Sequence, residues 1–210
     1  LDNSKSNNPL FGIPLGLKDL VDIKNKITTA GSKILENNKA TKNSKITQDF
    51  LDNQSIILGK TNLVEFAFGT LGINSNTNTC RNPWDIERVP GGSSSGSAVA
   101  VSAGLATFAI GTDTGGSIRM PASLCGITGF KPSYGIVSRR GVLDLSWSMD
   151  HVGPMARSAK DCLNIMKVIG GHDPRDKYSI KLEDNHFKEE VITNRNEIKL
   201  GLPKDYFFEE

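Results

Sequence analysis

The chain has 210 residues, of which 37% are hydrophobic, and its 25 basic side chains nearly balance its 23 acidic ones. This length suits one domain or slightly more. A formal net charge of +2 excludes nucleic-acid or anionic-membrane binding driven by net charge, and the sequence holds no direct nucleic-acid signal. The apolar run of about 18 residues that a transmembrane helix needs does not occur, and no signal-peptide pattern is visible in the sequence. We therefore expect a cytoplasmic protein that does not enter a membrane.

Cysteine and histidine usage argues against a disulfide framework and against a metal site. The three cysteines, Cys80, Cys125 and Cys162, stand singly, and an odd number without a CxxC pair predicts reduced, mostly buried thiols. The three histidines are well separated and form no HxH or HxxxH pattern. We expect no metal ion and no other cofactor.

Hydrophobic periodicity, glycines and capping residues predict short strands that alternate with helices. In chain order these are a strand at 12–17, a helix at 46–51, strands at 56–58 and 105–110 on either side of a helix at 97–103, a strand at 127–130, a helix that begins after Ser158, and a strand at 198–202. The residues expected to face inward are Ile46, Phe50 and Leu51 on the first helix and Leu163, Met166 and Ile169 on the last. Such alternation predicts an α/β fold, with a mixed β-sheet flanked by helices.

Glycine is concentrated between residues 91 and 141, which hold 11 of the 21 glycines of the chain. The same segment is rich in Ser, Ala and Thr and carries interleaved large apolar residues, unlike a flexible linker. Small residues allow close backbone approach. The segment therefore predicts a tightly packed centre with irregular backbone, with serines at 93–95 as caps for the helix at 97–103.

Three glycine motifs could carry chemistry. Gly59-Lys60-Thr61 fails as a phosphate-binding P-loop, because Gln54 stands where that loop needs a glycine. The segment 92–96 matches the GxSxG nucleophile elbow, but the charged, proline-containing stretch before it is a poor strand. The segment 111–117 follows an apolar strand, and its glycines predict an oxyanion hole, a phosphate nest or a tight turn.

These segments resemble the amidase signature family. The resemblance rests on motifs in family-like order: Gly12-Ile13-Pro14 with Lys18-Asp19, Leu58-Gly59-Lys60-Thr61-Asn62, Asn82-Pro83-Trp84-Asp85, Pro90 to Ala98, Gly111 to Arg119, Gly129-Phe130-Lys131-Pro132 and His151 to Ser158. Ser95 departs from the family, which more often has glycine there. Family members are about twice as long, so the resemblance implies an amidase-signature fold that is incomplete at both ends. Residues 1–210 would be the N-terminal and central part of a single amidase domain whose C-terminal portion is missing.

The resemblance implies a Ser–Ser–Lys triad made of Ser117 as nucleophile, Ser93 as relay and Lys18 as base. It also implies a cis peptide bond between Gly92 and Ser93. An oxyanion hole would comprise Thr114, Gly115 and Gly116 with the amide of Ser117. Supporting roles would fall to Ser94, Asp113 and Arg119. A lysine can be a base only when neutral, and burial lowers its pKa, so its position at the end of an apolar strand fits that role.

The resemblance leaves three functions open. The first is an amidohydrolase that cleaves the C–N bond of a small carboxamide through an acyl-enzyme. The second is the glutaminase component of a glutamyl- or aspartyl-tRNA amidotransferase, its A subunit, which would need partner subunits. Residues 65–74 resemble general amidases more than this glutaminase and favour the first function. The third is a catalytically inactive truncated fragment.

Overall fold

A computed structural model describes residues 8–183, 186–187, 199 and 201. Its strands are β1 (Pro14–Lys18), β2 (Ile56–Thr61), β3 (Phe108–Asp113), β4 (Thr128–Gly129) and β5 (His151–Ala156). Within the described residues they form one mixed sheet in the order β2-β1-β3-β5-β4. The accompanying helices are α1 (Lys45–Asp52), α2 (Ser95–Ser102), α3 (Arg119–Leu124) and α4 (Ala159–Ile169). The expected α/β class, with a mixed sheet flanked by helices, is confirmed.

Strand direction brings polar residues to one edge of the sheet. Strand β1 runs parallel to both β2 and β3, while β5 runs antiparallel to β3 and to β4. Parallel strands end at the same edge, so the carboxyl ends of β1 and β3 bring Lys18 next to Thr112. Strand β5 begins at this edge and pairs His151 with Asp113. Residues from β1, β3 and β5 therefore lie together at this edge of the sheet.

The main core lies between the sheet and helices α1 and α4. Phe50 of α1 packs against Phe108 of β3, with ring centroids 5.6 Å apart. Ser158 caps α4 by accepting the Asp161 amide at 3.1 Å, as the sequence predicted. The residues that α4 buries are Cys162, Ile165, Met166 and Ile169. In the part of the chain described here, no helix combines the length and hydropathy that a bilayer crossing requires.

Two residues that were predicted to face inward do not. Leu51 is 44% exposed, because α1 presents the side that carries Phe50 to the sheet. Leu163 is only half-buried, since α4 turns the side that carries Cys162 to the core. Both errors have the same cause: a short helix has too few apolar residues to show from sequence which ones lie at the centre of the buried face and which at its border.

Several predicted strand boundaries were also wrong. The strand predicted at 105–110 is β3, which begins and ends three residues later, and Leu105 is 69% exposed. The strand predicted at 56–58 is β2, which continues to Thr61 because β1 pairs with it on both sides of a register shift. The strand predicted at 127–130 keeps two residues as β4.

The sequence patterns missed α3 and β5. Helix α3 has Pro121 in its first turn, where a missing amide proton is tolerated, but the residue type lowers the helix signal. Strand β5 contains Gly153 and Pro154, both rare in strands. The strand predicted at 198–202 stays untested, because residues 198, 200 and 202 lie outside the described residues.

Close backbone approach explains two of the clustered glycines. A Cβ at Gly96 of α2 would lie 2.4 Å from the backbone nitrogen of Asn62. A Cβ at Gly111 of β3 would lie 2.8 Å from Ser94 Oγ. Both distances are shorter than side chains tolerate, so these glycines let α2 and the serines before it lie directly against the sheet.

We expect Phe50→Ala to lower the free energy of unfolding by about 3–5 kcal/mol, because it removes a fully buried ring that packs on Phe108. The measurement is urea denaturation followed by circular dichroism. The matched control is Phe68→Ala, which removes a ring that is 81% exposed and should change stability by less than about 0.5 kcal/mol. Equal losses for the two variants would contradict this assignment of the core.

Candidate functional site

The amine of Lys18 is enclosed at the edge of the sheet where β1 and β3 end. The residue has no solvent exposure. Its Nζ donates one hydrogen bond to Ser93 Oγ and one to Thr112 Oγ1, each 2.7 Å long. Both acceptors are hydroxyl groups, which suit a neutral amine as well as an ammonium ion.

Burial is the main influence on the protonation of this amine. It lowers the pKa of Lys18 from 10.5 to about 7, because the charged form loses its hydration. The negative charges of Asp150 and Asp113 act in the opposite direction and raise the pKa, but by less. A large fraction of Lys18 is therefore neutral near pH 7, the form that can accept a proton.

Ser93 and Ser94 lie in the turn before α2 and direct their side chains to the sheet. The Gly92–Ser93 peptide bond is cis, as the resemblance implied. Ser94 Oγ donates to the Thr112 carbonyl at 3.1 Å and is 3.3 Å from the Thr112 amide that donates to it. The expectation that serines here cap α2 through their side chains is wrong for the N-cap residue Ser94, which makes no such bond.

Ser117 lies beside this turn and is the member of the predicted triad that solvent reaches. It is 9% exposed, whereas Lys18 and Ser93 have no exposure. The Ser94 amide donates to the Ser117 carbonyl at 3.2 Å, which ties the two serine-bearing loops together. A molecule that approaches from solvent therefore meets Ser117 before it meets either of the other two.

The carboxylate of Asp113 holds the loop that follows β3. It accepts the amides of Gly116 and Ile118 at 2.8 and 3.0 Å. The guanidinium of Arg119 donates to both carboxylate oxygens, at 3.0 and 3.1 Å. Burial alone would raise the pKa of Asp113, but the hydrogen bonds from Arg119 and the amides lower it overall. Asp113 is thus an anion that fixes the loop.

The Asp113 bonds change which amides of the loop are available. Gly116, predicted as an oxyanion-hole residue, has its amide directed to Asp113. Among the described residues, none accepts a hydrogen bond from the amides of Gly115 or Ser117. Thr114 is held through its hydroxyl, which donates to Asp150. Among the described residues, the Thr114 amide has no acceptor either, so the donors left for an anion are the amides of Thr114, Gly115 and Ser117.

Three residues at this edge had no role in the sequence predictions. Thr112 shares the Lys18 amine with Ser93. Asp150 is buried, and besides the Thr114 hydroxyl it accepts the amides of Leu145 and Ser146 at 2.8 and 2.9 Å. His151 places Nδ1 3.0 Å from the Asp113 carbonyl. The polar residues at the end of the apolar strand β3 were a sequence signal for a site near Thr112. No sequence signal pointed to Asp150, because β5, the strand that follows it, was not predicted.

The alternative glycine motifs do not form the sites they resemble. An elbow serine needs a strand before it and an exposed hydroxyl, but Ser94 follows no strand and is fully buried. Lys60 of the P-loop-like segment pairs with Asp19 at 2.6 Å and donates to Thr28. Neither segment therefore forms the nucleophile elbow or the phosphate-binding loop that it resembles. Both make contacts within the protein at the edge of the sheet.

Cysteines and metal ligands form no site in the described part of the chain. All three cysteines are free; Cys125 and Cys162 are buried and Cys80 is half-buried. Burial raises the pKa of both Cys125 and Cys162 to about 11, so these thiols are protonated at neutral pH. No cluster of three or more potential metal ligands occurs among the described residues.

A buried lysine with a pKa of about 7, bonded to a serine and beside a loop with unused amides, suits an enzyme with a serine nucleophile and a lysine base. The chain belongs to the Amidase family, whose sequence model matches residues 1–210.

Similar proteins include amidotransferase A subunits and a peptide amidase. Over 200 residues, the chain is 48% identical to the A subunit of glutamyl-tRNA(Gln) amidotransferase from Thermodesulfovibrio yellowstonii, covering 95% of this chain and 41% of the relative. The crystal structure of the same subunit from Thermotoga maritima is 43% identical, with a TM-score of 0.80 over 82% of this chain and 38% of the other. The peptide amidase of Stenotrophomonas maltophilia is 41% identical, with a TM-score of 0.81 over 86% and 38%. The chain thus spans about two fifths of the length of these relatives.

We expect the free energy of unfolding to rise with pH between about 7 and 10.5, because the unfolded Lys18 binds a proton in this range and the folded one does not. The slope from this residue reaches at most about 1.4 kcal/mol per pH unit. The measurement is urea denaturation at several pH values for the natural protein and Lys18→Met.

The difference between the two proteins isolates Lys18 from other groups that titrate in this range. The exposed residue Lys33 provides the matched control, and Lys33→Met should keep the natural slope. A slope that is equal in the natural protein and Lys18→Met would mean that the buried amine keeps its proton.

Proposed function

We propose that this chain carries the site for amide-bond hydrolysis by the Ser–Ser–Lys triad of Lys18, Ser93 and Ser117. The observation that carries the proposal is the 2.7 Å hydrogen bond between Lys18 Nζ and Ser93 Oγ in a fully buried position, together with a lysine pKa of about 7. A serine hydroxyl needs a base to become a nucleophile. Without a neutral lysine, Ser93 would be an ordinary buried hydroxyl.

In the proposed reaction, Ser117 Oγ attacks the amide carbonyl carbon while its proton passes through Ser93 to Lys18. The tetrahedral intermediate then collapses, the C–N bond breaks, and the proton returns from Lys18 through Ser93 to the leaving nitrogen. Water next attacks the acyl ester of Ser117 and gives a proton along the same route to Lys18. The ester C–O bond then breaks, the proton returns through Ser93 to Ser117 Oγ, and the carboxylic acid is released. The relay suits the burial pattern, because Ser117 is the one of the three residues with some solvent exposure.

Negative charge on the carbonyl oxygen would be received by the loop that follows β3. The amides of Thr114, Gly115 and Ser117 supply this oxyanion hole, while Gly116 fixes its shape through Asp113. One such donor contributes roughly 10²–10³ in rate in a comparable hydrolase. Arg119 and Asp113 act as positioning residues, and so does Ser94, which holds the relay turn on Thr112.

For the substrate, we propose a small carboxamide with an apolar acyl chain. The segment 64–73 borders the relay turn, because the Val64 amide donates to the Ser93 carbonyl at 3.1 Å. This segment exposes Phe68, Leu71 and Ile73. We propose that these exposed side chains form an apolar wall of the substrate site, which would favour an apolar acyl group over a polar amino acid.

Glutamine is the second candidate substrate, with the chain as part of an amidotransferase subunit that would work with partner subunits. The observation in its favour is the 48% identity to the amidotransferase relative from Thermodesulfovibrio yellowstonii. The similar identities to solved structures of an amidotransferase subunit (43%) and of a peptide amidase (41%) do not separate the two candidates. The cytoplasmic location and the assignment of residues 1–210 to one amidase domain stay predictions.

We expect a fluorophosphonate, which reacts with activated serines, to form one adduct on Ser117. Lys18→Ala should slow the labelling by at least about 100-fold, because it removes the general base. In the natural protein the labelling rate should rise with pH through about 7, as Lys18 loses its proton. Intact mass and peptide mapping measure the adduct.

Matched controls separate this result from general damage. Ser123 and Lys33 are exposed, and their alanine variants should label at the natural rate. An adduct on Ser94, or a loss in His151→Gln as large as in Lys18→Ala, would contradict the triad. A folded protein that labels on no serine would favour the inactive fragment.

We expect ammonia release from hexanamide to exceed that from glutamine by at least about tenfold in kcat/KM, the size of effect that one or two buried methylene groups produce. Phe68→Ala should reduce the hexanamide value and leave the glutamine value unchanged. The opposite preference, with a second protein that co-purifies in stable proportion, would favour the amidotransferase function.

A further inference from the structure

A second concave site lies on the surface formed by residues 139–147 and 175–178. This cleft, called here the basic cleft, has a volume of about 350 Å³ and shares no lining residue with the Lys18 site. Its size lies within the usual range for small-molecule sites. No residue that lines this cleft has a role in the proposed reaction.

The wall of the basic cleft carries more cations than anions, and two of its arginines are paired with a carboxylate. The basic residues that line it are Arg139, Arg140, Arg175 and Lys177, against the acidic Asp144 and Asp176. Asp173 lies behind the wall, where it pairs with Arg140 at 2.8 Å and with Arg175 at 3.4 Å. The chain as a whole is almost neutral, so this concentration of cations is local.

Arg139 presents a charge that its own partners do not neutralise. Its guanidinium donates to the Trp147 carbonyl at 2.7 Å and to the Tyr134 hydroxyl at 3.0 Å, and both acceptors are uncharged. Asp176 is engaged by the backbone amide of Arg139, not by its side chain. An anion in the cleft would therefore meet an uncompensated cation.

The same guanidinium is fixed before any ligand arrives. Arg139 is 9% exposed and lies 4.9 Å from the ring centroid of Tyr134 and 5.1 Å from that of Tyr178. A side chain held on two rings loses little further freedom when it binds. The position of the charge is thus set by the fold.

An exposed aromatic surface lies next to these cations. Trp147 is 63% exposed, and its ring is 5.9 Å from that of Tyr178 at an angle of 31°. Contact with Tyr178, and the bonds from Arg139 and Tyr134 to the Trp147 carbonyl, hold this segment in place. Such an indole offers a planar surface on which a ring of a ligand can stack.

We propose that the basic cleft binds a nucleotide, with its phosphate at Arg139, Arg175 and Lys177 and its base on Trp147. A phosphate matches the fork of an arginine, and a flat heteroaromatic base matches the indole. The occupant can be a free mononucleotide or the terminal nucleotide of an RNA strand, because both offer the same two groups.

The test uses the fluorescence of Trp147. The chain has two tryptophans, so Trp84→Phe leaves Trp147 as the single reporter. AMP, titrated into this variant, should quench the emission in a saturable way with a dissociation constant below about 1 mM. Adenosine and inorganic phosphate, which each lack one of the two groups, should bind at least about tenfold more weakly.

Variants assign the binding to the cleft. Arg175→Ala with Lys177→Ala should weaken AMP binding by at least about tenfold, and raised salt should weaken it further. Lys33→Ala, which removes an exposed cation elsewhere, should leave it unchanged. Trp147→Ala, followed by calorimetry, should lose the stacking contribution, and Ser117→Ala should bind AMP like the natural protein whether or not the triad hydrolyses amides.

Several results would overturn the proposal. They are no saturable binding up to about 10 mM AMP, equal affinity for AMP and adenosine, benzoate that binds as tightly as AMP, or an effect of the double variant no larger than that of Lys33→Ala. A single-stranded hexanucleotide RNA distinguishes the two sources of the ligand. Tighter binding of the RNA than of AMP assigns the cleft to an RNA end, and weaker binding assigns it to the free nucleotide.

Discussion

The complete burial of the Lys18 amine is the constraint on which the rest of the site depends. An ammonium ion without water is costly, and the protein meets this cost largely by lowering the pKa of the amine to about 7 rather than by an adjacent carboxylate. The two groups that bind Nζ are the hydroxyls of Ser93 and Thr112. A direct ion pair would hold the proton on the lysine, so the use of hydroxyls keeps the amine able to accept one.

The topology of the sheet supplies the groups that this burial requires. Lys18 and Thr112 meet because β1 and β3 are parallel neighbours and end at the same edge. Ser93 reaches the amine because α2 lies close to the sheet, which glycine at 96 and at 111 permits. Substituting either glycine would therefore act on the site through the distance between a helix and a sheet.

Much of this arrangement follows from local sequence, and the part that does not has a physical reason. The strand that ends at Lys18, the helix capped by Ser158 and the α/β class all depend on short-range patterns of apolar and capping residues. The pairing of Lys18 with Thr112 depends on which strands become neighbours, over 94 residues of chain. No local pattern encodes that choice.

The supporting residues were harder still to predict. Asp150 gained no role because β5, which it precedes, contains glycine and proline and gave no strand signal. Gly116 was assigned to an oxyanion hole by resemblance, whereas the bond from its amide to Asp113 requires the folded loop to be known. The motifs thus located the site, but the role of each residue within it could be assigned only from the folded geometry.

Two carboxylates lie near the buried amine, and their own partners explain why they do not keep it protonated. Asp113 is engaged by Arg119 and by the amides of its own loop, and Asp150 by the Thr114 hydroxyl and two amides. Their charges raise the pKa of Lys18 less than burial lowers it. Each carboxylate holds one part of the glycine-rich loop, so the groups that oppose deprotonation of the lysine are also those that position the amides beside Ser117. Removing either charge would favour the neutral amine and loosen the loop at the same time, which is a physical reason for both to be present.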